Sequence, residues 1–172
     1  MKLSYIYEVF LFVALILFQV LLLNRISVFG YATPILYSYF LMKLPIGRNL
    51  FYVIISGFLM GLIIDIFLNT PGMNAAATTI VAAMRKPVLN LFYEREEYED
   101  FVPGIHNSAG AFVRFVIFFV LFHLTLLFFI ESFTFFNVIP TLLRIVASSA
   151  VTILIIIALD TILFRRKTIE QT

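Results

Sequence analysis

Four apolar stretches, each long enough to cross a bilayer, constrain this 172-residue chain more than any other feature of its sequence. They cover about residues 6–23, 50–68, 109–130 and 140–164. At 1.5 Å per residue, an α-helix of about 20 residues crosses a hydrocarbon core of about 30 Å. Only 13% of the residues are charged, about half the share of an ordinary soluble domain. The sequence therefore predicts an integral membrane protein with no room for a soluble catalytic domain.

Two weaker stretches, about residues 29–44 and 73–92, decide the number of spans. The first is short and a proline interrupts it, and the second carries Arg85 and Lys86, so that either this span is short or the two cations snorkel. Backbone in lipid must satisfy its own hydrogen bonds, so we expect both stretches to be helical, although buried or broken helices are tolerated inside a bundle. Counting both, the sequence predicts an all-α polytopic protein with six transmembrane helices in a single domain, residues 1–172.

Basic residues orient the six predicted spans. If the N-terminus is cytoplasmic, the cytoplasmic set is Lys2, Lys43, Arg48, Arg85, Lys86, Arg95, Arg114, Arg165, Arg166 and Lys167. The outer set is Arg25 and Arg144. Because cytoplasmic loops carry an excess of basic residues, this distribution predicts that both termini are cytoplasmic.

An acidic run, residues 94–100, lies between the fourth and fifth predicted helices and holds five acidic residues and one basic residue. It is either a solvated loop or a docking surface for a basic cytoplasmic partner. The second interpretation rests on repulsion from anionic lipid, which would lift the run away from the membrane.

An aspartate near the end of the third predicted helix is the strongest functional candidate. Gly57, Gly61 and Asp65 recur every four residues, which places them on one helix face. An ionisable group inside a membrane helix is expensive, so it suggests a function. Either Asp65 hydrogen-bonds the following turn, residues 69–72, and holds the bundle together, or this face receives a ligand or a partner helix.

Three other ionisable residues have simpler interpretations. We expect Asp160 to form an ion pair with Arg165 and Arg166 near the end of the sixth helix. Glu8 opens the first helix, where a carboxylate favours the positive end of the helix dipole. His123 lies in the middle of an apolar span, where a hydrogen-bonded core histidine is a better interpretation than a proton relay.

The sequence contains no pattern for catalysis. Asp65 and Asp160 are predicted near opposite membrane faces, too far apart for an aspartyl dyad. The only histidines, His106 and His123, have no metal-ligand cluster around them, and the chain has no cysteine. We therefore expect a protein that is not an enzyme and that uses no catalytic residue, metal, cofactor or nucleic acid.

One segment, residues 34–89, carries a more specific pattern. A proline opens an apolar stretch, a short basic turn follows, a helix ends in Gly-Leu-x-x-Asp, and a Pro-Gly turn precedes a helix of small residues. In this chain the parts are Pro34, Lys43 to Arg48, Gly61 to Asp65, and Pro71-Gly72 with Asn74. This order of parts resembles the rod shape-determining protein MreD family of bacteria. The similarity covers about a third of the chain, and elsewhere it is one of hydropathy only.

The resemblance implies a non-enzymatic scaffold of the elongasome, the cell-elongation machinery that makes peptidoglycan in rod-shaped cells. It implies a multi-pass protein of the bacterial inner membrane, surrounded by lipid, with the six-helix fold of the substrate-capture subunits of vitamin uptake transporters. The implied partners are a bitopic MreC-like protein, an MreB-like filament, and RodA with its transpeptidase. The candidate partner or helix-packing face is Gly57, Gly61 and Asp65, and the candidate outer rim is Asn69, Pro71, Gly72 and Asn74.

The alternative is the substrate-binding membrane subunit of a vitamin or small-molecule uptake transporter, because fold alone does not separate the two functions. Such a subunit needs an outward-facing pocket with converging polar and aromatic groups. Asp65, Asn69, Asn74 and Tyr37 could contribute to it. Against this alternative, the first helix lacks the alanine-x-x-x-alanine face with which those transporters dock on their coupling partner, since residues 9–16 contain a single alanine.

Overall fold

The computed structural model describes residues 2–25, 32–93, 101–132 and 138–169. All extended regular structure in these ranges is helical, with six α-helices and a short 3₁₀ turn at Leu23–Arg25. The helices are α1 (Lys2–Leu21), α2 (Tyr39–Lys43), α3 (Leu50–Leu68), α4 (Met73–Phe92), α5 (Ala109–Ser132) and α6 (Val138–Ile169). The all-α prediction is therefore confirmed for the described part of the chain.

Three of the described helices are long and apolar enough to cross a membrane: α3, α5 and the Val138–Leu163 part of α6. A shorter apolar stretch, Tyr5–Leu21, forms most of α1. These helices give the chain its transmembrane character. Six spans, and the cytoplasmic location of both termini, stay predictions.

Large apolar side chains cover the outer surface of the helices. Phe10 on α1 is 71% exposed, Phe51 on α3 is 75% exposed, and Ile139 on α6 is 74% exposed. Contiguous apolar surface of this extent is rare on soluble monomers, but the acyl chains of a bilayer solvate it. The outer faces of α1, α3 and α6 are therefore suited to contact with lipid.

The α3–α4 hairpin has the bounds that the sequence predicts, residues 50–68 and 73–92. Asn49 caps α3, since its side chain accepts a hydrogen bond from the backbone N–H of Phe51 at 2.8 Å. The turn between the helices needs two left-handed residues, Asn69 with φ 55° and Gly72 with φ 74°. Asparagine and glycine adopt this conformation most readily, which explains why the chain reverses there. The other long helices differ from their predicted bounds only at the ends.

The predicted helix at residues 29–44 is wrong. Only Tyr39–Lys43 is α-helical, residues 32–38 are not, and residues 29–31 lie outside the described ranges. Pro34 has no backbone N–H and disfavours a helical conformation at Thr33. The prediction allowed for a broken helix buried inside the bundle, and residues 34–38 are buried there without forming a helix. Non-helical backbone is tolerated at membrane depth when protein surrounds it.

A glutamine on α1 satisfies part of this buried backbone. The Gln19 side-chain oxygen accepts a hydrogen bond from the backbone N–H of Leu36 at 2.7 Å. Its Nε2 donates to the carbonyl oxygen of Pro34 at 3.0 Å and to Oδ1 of Asn24 at 2.9 Å. Gln19 is only 1% exposed, so it replaces the partners that a helix would have given these groups.

Two hydroxyl groups on α6 satisfy the next backbone donors. The backbone N–H of Thr33 donates to Oγ of Ser148 at 3.1 Å, and that of Ile35 donates to Oγ1 of Thr152 at 3.0 Å. Ser148 and Thr152 are four residues apart and share one face of α6. We call residues 32–38, held between α1 and α6, the buried strap.

Replacement of Gln19 by leucine tests this account of the buried strap. The change leaves the Leu36 N–H and the Pro34 carbonyl without these partners, at about 1–3 kcal/mol for each unsatisfied group. We expect a clear fall in the thermal unfolding midpoint of the detergent-purified protein, followed by circular dichroism. Leu17→Ala, at a half-exposed position of the same helix, is the control. A Gln19→Leu protein as stable as this control would show that the strap does not depend on the glutamine.

Candidate functional site

The predicted glycine strip lies inside the bundle and packs against α4. A Cβ atom on Gly61 would stand 2.5 Å from the carbonyl oxygen of Asn74 and 2.6 Å from Cα of Ala75. A Cβ atom on Gly57 would stand 2.8 Å from Cβ of Ala82. Backbone atoms cannot move aside as a flexible side chain can, so only glycine fits at position 61. The strip therefore packs inside the protein. The face that was predicted to receive a partner helix is covered by α4.

The Asp65 carboxylate caps the start of α4 from the end of α3. Its Oδ1 accepts hydrogen bonds from the Thr70 hydroxyl at 2.6 Å, the Asn74 backbone N–H at 3.0 Å and Asn74 Nδ2 at 2.9 Å. Its Oδ2 accepts from the backbone N–H of Ala75 at 2.8 Å. The residue at the N-cap position of α4, Gly72, has no side chain to do this, and a carboxylate suits the positive end of a helix. These contacts match the interpretation in which Asp65 holds the bundle together.

The four predicted rim residues separate into two groups. Asn69, Pro71 and Gly72 are exposed in the α3–α4 turn, whereas Asn74 is 5% exposed and belongs to the interior. We call the end of the bundle that carries residues 69–72 the turn end. Sequence reasoning placed all four on one rim because it could not show that Asn74 turns inward toward Asp65.

A polar network continues from Asn74 into the middle of the bundle. The Tyr37 hydroxyl donates to Oδ1 of Asn74 at 2.7 Å and lies 3.5 Å from Nε2 of His123. The two rings of Tyr37 and His123 meet edge to face, with their centroids 5.4 Å apart. Nδ1 of His123 has no hydrogen-bond partner among the described residues. His123 is therefore a buried core histidine joined to the strap, in line with its simpler interpretation.

A buried ion pair joins α2 to α6 at the opposite end of the bundle. Nζ of Lys43 lies 2.7 Å from Oδ1 of Asp160, and both side chains are almost completely buried. Oδ1 of Asp160 also accepts from the Tyr39 hydroxyl at 2.6 Å, and its Oδ2 accepts from the backbone N–H of Ile105 at 2.8 Å. The Lys43 ammonium donates to the carbonyl oxygen of Pro103 at 2.8 Å. We call this the Lys43 end.

Among the described residues, Asp160 pairs with Lys43, and the expected pairing with Arg165 and Arg166 stays a prediction. The partner is Lys43, more than a hundred residues earlier in the chain. The side chains of Arg165 and Arg166 lie outside the described part of the chain. The sequence did not show that α2 returns to this end and brings Lys43 to Asp160.

Arg85 is buried at the Lys43 end instead of snorkelling. It is 2% exposed, and its guanidinium donates to the carbonyl oxygens of Leu41 at 2.5 Å, of Pro45 at 3.4 Å and of Leu44. Leu41 lies inside the short helix α2, and Leu44 and Pro45 follow it, so all three carbonyls belong to its C-terminal end, where intrahelical partners are lacking. A basic side chain near a helix C-terminus also complements the helix dipole. Arg85 thus joins α4 to α2.

A second ion pair joins α1 to the loop before α3. Arg48 contacts Oε1 of Glu8, and the Tyr52 hydroxyl donates to Oε2 of Glu8 at 2.9 Å. The Arg48 guanidinium also stacks on the ring of Tyr5, with 4.0 Å between the guanidinium carbon and the ring centroid. The hydrogen bond to Glu8 raises the pKa of Arg48 above its ordinary value. Glu8 lies beyond the first turn of α1, so the prediction that it serves the helix dipole is wrong.

A cavity of about 220 Å³ opens at the turn end. Gln19, Tyr37 and Asn74 supply buried polar groups to its lining. The exposed pair Glu131 and Arg144 also lines it, with Arg144 Nη1 3.2 Å from Glu131 Oε1. Of the four pocket residues named in the sequence analysis, Tyr37 and Asn74 line the cavity and Asp65 and Asn69 do not. Gln19, Glu131 and Arg144 were missed, although a glutamine inside an apolar helix was a usable signal.

Two arrangements that the sequence analysis considered, an aspartyl dyad and a metal-ligand cluster, can be compared with the described residues. Asp65 and Asp160 belong to clusters at opposite ends and share no hydrogen-bond partner among the described residues. These residues also contain no group of three or more His, Cys, Asp or Glu side chains that could hold a metal ion. The acidic run at 94–100, a candidate docking surface, lies outside the described ranges.

Substitution of Asp65 tests its role as the cap of α4. Asp65→Ala leaves the backbone donors of Asn74 and Ala75 unpaired, so we expect a loss of about 1–3 kcal/mol for each. Asp65→Asn keeps one acceptor oxygen and should lose less. Glu131→Ala removes an exposed carboxylate at the same end and should change stability by no more than about 1 kcal/mol. Thermal unfolding in detergent measures all three, and an Asp65→Ala protein as stable as the wild type would contradict the capping role.

A double-mutant cycle tests the buried pair of Lys43 and Asp160. Lys43→Met leaves a buried carboxylate without its cation, and removal of one partner of such a pair costs about 3–5 kcal/mol. We expect the double variant Lys43→Met with Asp160→Asn to recover part of that loss, because the uncompensated charge is gone. The free energies of unfolding of the wild type, both single variants and the double variant measure the coupling. Additive losses would mean that the two groups do not interact.

Comparison with known proteins gives no relative for this fold. The chain matches no protein-family model, no curated protein and no solved structure. The candidate chemistry therefore rests on the residues and contacts described above.

Proposed function

We propose that this chain is a non-enzymatic membrane scaffold of the bacterial cell-elongation machinery, similar in role to MreD. The supporting observation is the structural role of the residues that carry the resemblance. Gly61 allows the close approach of α3 and α4, Asp65 caps α4, and Asn74 carries the network to Tyr37. The motif thus builds a rigid hairpin, which is what a scaffold requires.

The state of the buried carboxylates supports a role without catalysis. Asp65 accepts hydrogen bonds from side chains and from backbone, Asp160 holds Lys43 and Tyr39, and Glu8 holds Arg48. A general base or a nucleophile needs a carboxylate that can reach a substrate. Each of these three is already engaged by protein groups, and each contact joins two parts of the fold.

The proposed setting is the bacterial inner membrane, with both termini in the cytoplasm. In that orientation the Lys43 end faces the cytoplasm and the turn end faces outward. Lys43, Arg48 and Arg85 then share the cytoplasmic end, and Arg144 lies at the outer end, as the positive-inside rule favours. The proposed partners are a bitopic MreC-like protein and, more distantly, an MreB-like filament and RodA with its transpeptidase.

The partner surface of such a scaffold must lie outside the α3–α4 interface. Because Gly57 and Gly61 contact α4, a partner helix cannot dock on them without opening the bundle. The faces that remain for a partner are the outward ones, where Phe10 and Phe51 are exposed. Asp65 then affects assembly only through the stability of the fold.

A second candidate function is substrate capture for an uptake transporter, and the cavity at the turn end favours it. The cavity combines buried polar groups with an aromatic side chain, as small-molecule sites do. The first helix still offers only Ala14 in the region where an alanine face is expected. The scaffold remains the better-supported function, since the resemblance of residues 34–89 favours it.

Affinity purification from mildly solubilised membranes tests the proposed function. We expect the tagged chain to recover a single-span periplasmic protein and a cell-wall polymerase. A tagged polytopic protein of unrelated function is the control for non-specific recovery. Recovery of an ATPase pair with a coupling subunit would overturn the scaffold and support the transporter.

Asp65→Ala gives this experiment a second arm. Because Asp65 is internal, we expect partner recovery to fall in proportion to the amount of folded protein, measured by size-exclusion chromatography. A variant that stays fully folded and yet loses its partners would show that Asp65 contacts a partner directly.

A further inference from the structure

The cavity at the turn end has the organisation of a ligand site. Polar side chains that are almost fully buried, Gln19, Tyr37 and Asn74, occupy its deep part, and the apolar side chains of Leu127 and Phe128 form a wall. Its volume of about 220 Å³ is below the roughly 300–1,000 Å³ of sites for drug-sized ligands. The occupant is therefore a small molecule or the headgroup of a larger one.

An unused hydrogen-bond donor shows one group that the occupant must supply. Asn24 lines the cavity, and its Nδ2 is buried without a hydrogen-bond partner among the described residues. The amide cannot simply rotate, because its Oδ1 accepts from Nε2 of Gln19, and Gln19 is itself fixed by Pro34 and Leu36. Buried donors are nearly always paired in folded proteins. An acceptor oxygen on the occupant would satisfy Asn24.

A pair of opposite charges at the cavity indicates which charged groups the occupant carries. Arg144 and Glu131 have side chains that are 38% and 41% exposed, and their closest atoms are 3.2 Å apart. This contact is longer than the roughly 2.7–2.9 Å of a strong charge-assisted hydrogen bond. The Arg144 guanidinium also lies over the ring of Phe128, 4.6 Å from the centroid, which fixes it at the cavity wall. Such a pair can exchange its weak mutual contact for a ligand that carries both charges.

We propose that this cavity binds a zwitterionic group. Its anion, a carboxylate or a phosphate, lies against Arg144, its ammonium lies against Glu131, and an oxygen of the same molecule accepts from Asn24. Two sources share this chemistry: a free amino acid and the headgroup of an ethanolamine phospholipid. A scaffold would hold the headgroup and an uptake subunit the free molecule, so the site does not depend on which function is correct.

Binding to the purified full-length chain tests the proposal with two probes. The lipid probe is phosphatidylethanolamine in mixed micelles, compared with phosphatidylglycerol, which has the phosphate and lacks the ammonium; native mass spectrometry counts the bound lipid. The free probe is a panel of the twenty L-amino acids, scored by thermal shift and then by titration calorimetry. We expect saturable binding of one probe, and the probe that binds identifies the source.

Three variants show whether the binding uses the proposed residues. Glu131→Gln and Arg144→Met each remove one charge and should weaken binding by about tenfold or more. Asn24→Asp keeps the oxygen that accepts from Gln19 but replaces the free donor with an acceptor, so it should weaken binding; its unfolding midpoint is measured beside it, because a buried carboxylate also costs stability. Arg114→Met, an exposed arginine at the start of α5, is the matched control and should bind as the wild type does.

Two results would overturn the proposal. If neither the lipid probe nor any amino acid binds saturably, the cavity is not a site for a zwitterionic group. Binding that is equally strong in Glu131→Gln and Arg144→Met would mean that the ligand sits elsewhere. Both results are independent of the affinity purification, since neither requires a protein partner.

Discussion

The buried strap sets the condition that the rest of the structure must meet. The N–H groups of Thr33, Ile35 and Leu36 and the carbonyl of Pro34 pair with side chains of other helices, and each of these groups would be costly if left unpaired. Gln19 on α1 and the hydroxyl groups of Ser148 and Thr152 on α6 supply the missing partners. Beyond the strap, Arg85 on α4 binds carbonyl groups in and after α2. The first, fourth and sixth helices therefore take their places around one short irregular segment.

Charged groups in this protein serve the same purpose. Asp65 accepts from backbone N–H groups at the N-terminus of α4, and Arg85 donates to carbonyls at the C-terminal end of α2, so each pairs polar groups that a helix end leaves unpaired. Lys43 and Asp160 neutralise each other while each also bonds to the loop at Pro103 and Ile105. A buried charge that lost its partners would be strongly destabilising. Each of these ionisable residues therefore joins two parts of the fold.

Short-range sequence patterns predicted part of the fold. The α3–α4 hairpin follows from the spacing of Gly57, Gly61 and Asp65 and from the Pro-Gly turn, all within a short span of sequence. The strap was not predictable, because its partners on α6 lie 115 and 117 residues away. The same holds for the contact of Arg85 with Leu41, which is 44 residues distant. Apolar periodicity shows which residues avoid water, but it does not show which buried backbone a distant side chain will satisfy.

Because the strap depends on α6, it cannot reach its folded state until the last helix has been synthesised. Synthesis proceeds from the N-terminus, so residues 33–36 enter the membrane well before Ser148 and Thr152 leave the ribosome. Until then, the amide groups of Thr33 and Ile35 lack the hydroxyl partners that the folded protein gives them. The N-terminal half is consequently an incomplete intermediate that must be protected from mispairing. A chain that ended before α6 would leave the N–H groups of Thr33 and Ile35 without these partners.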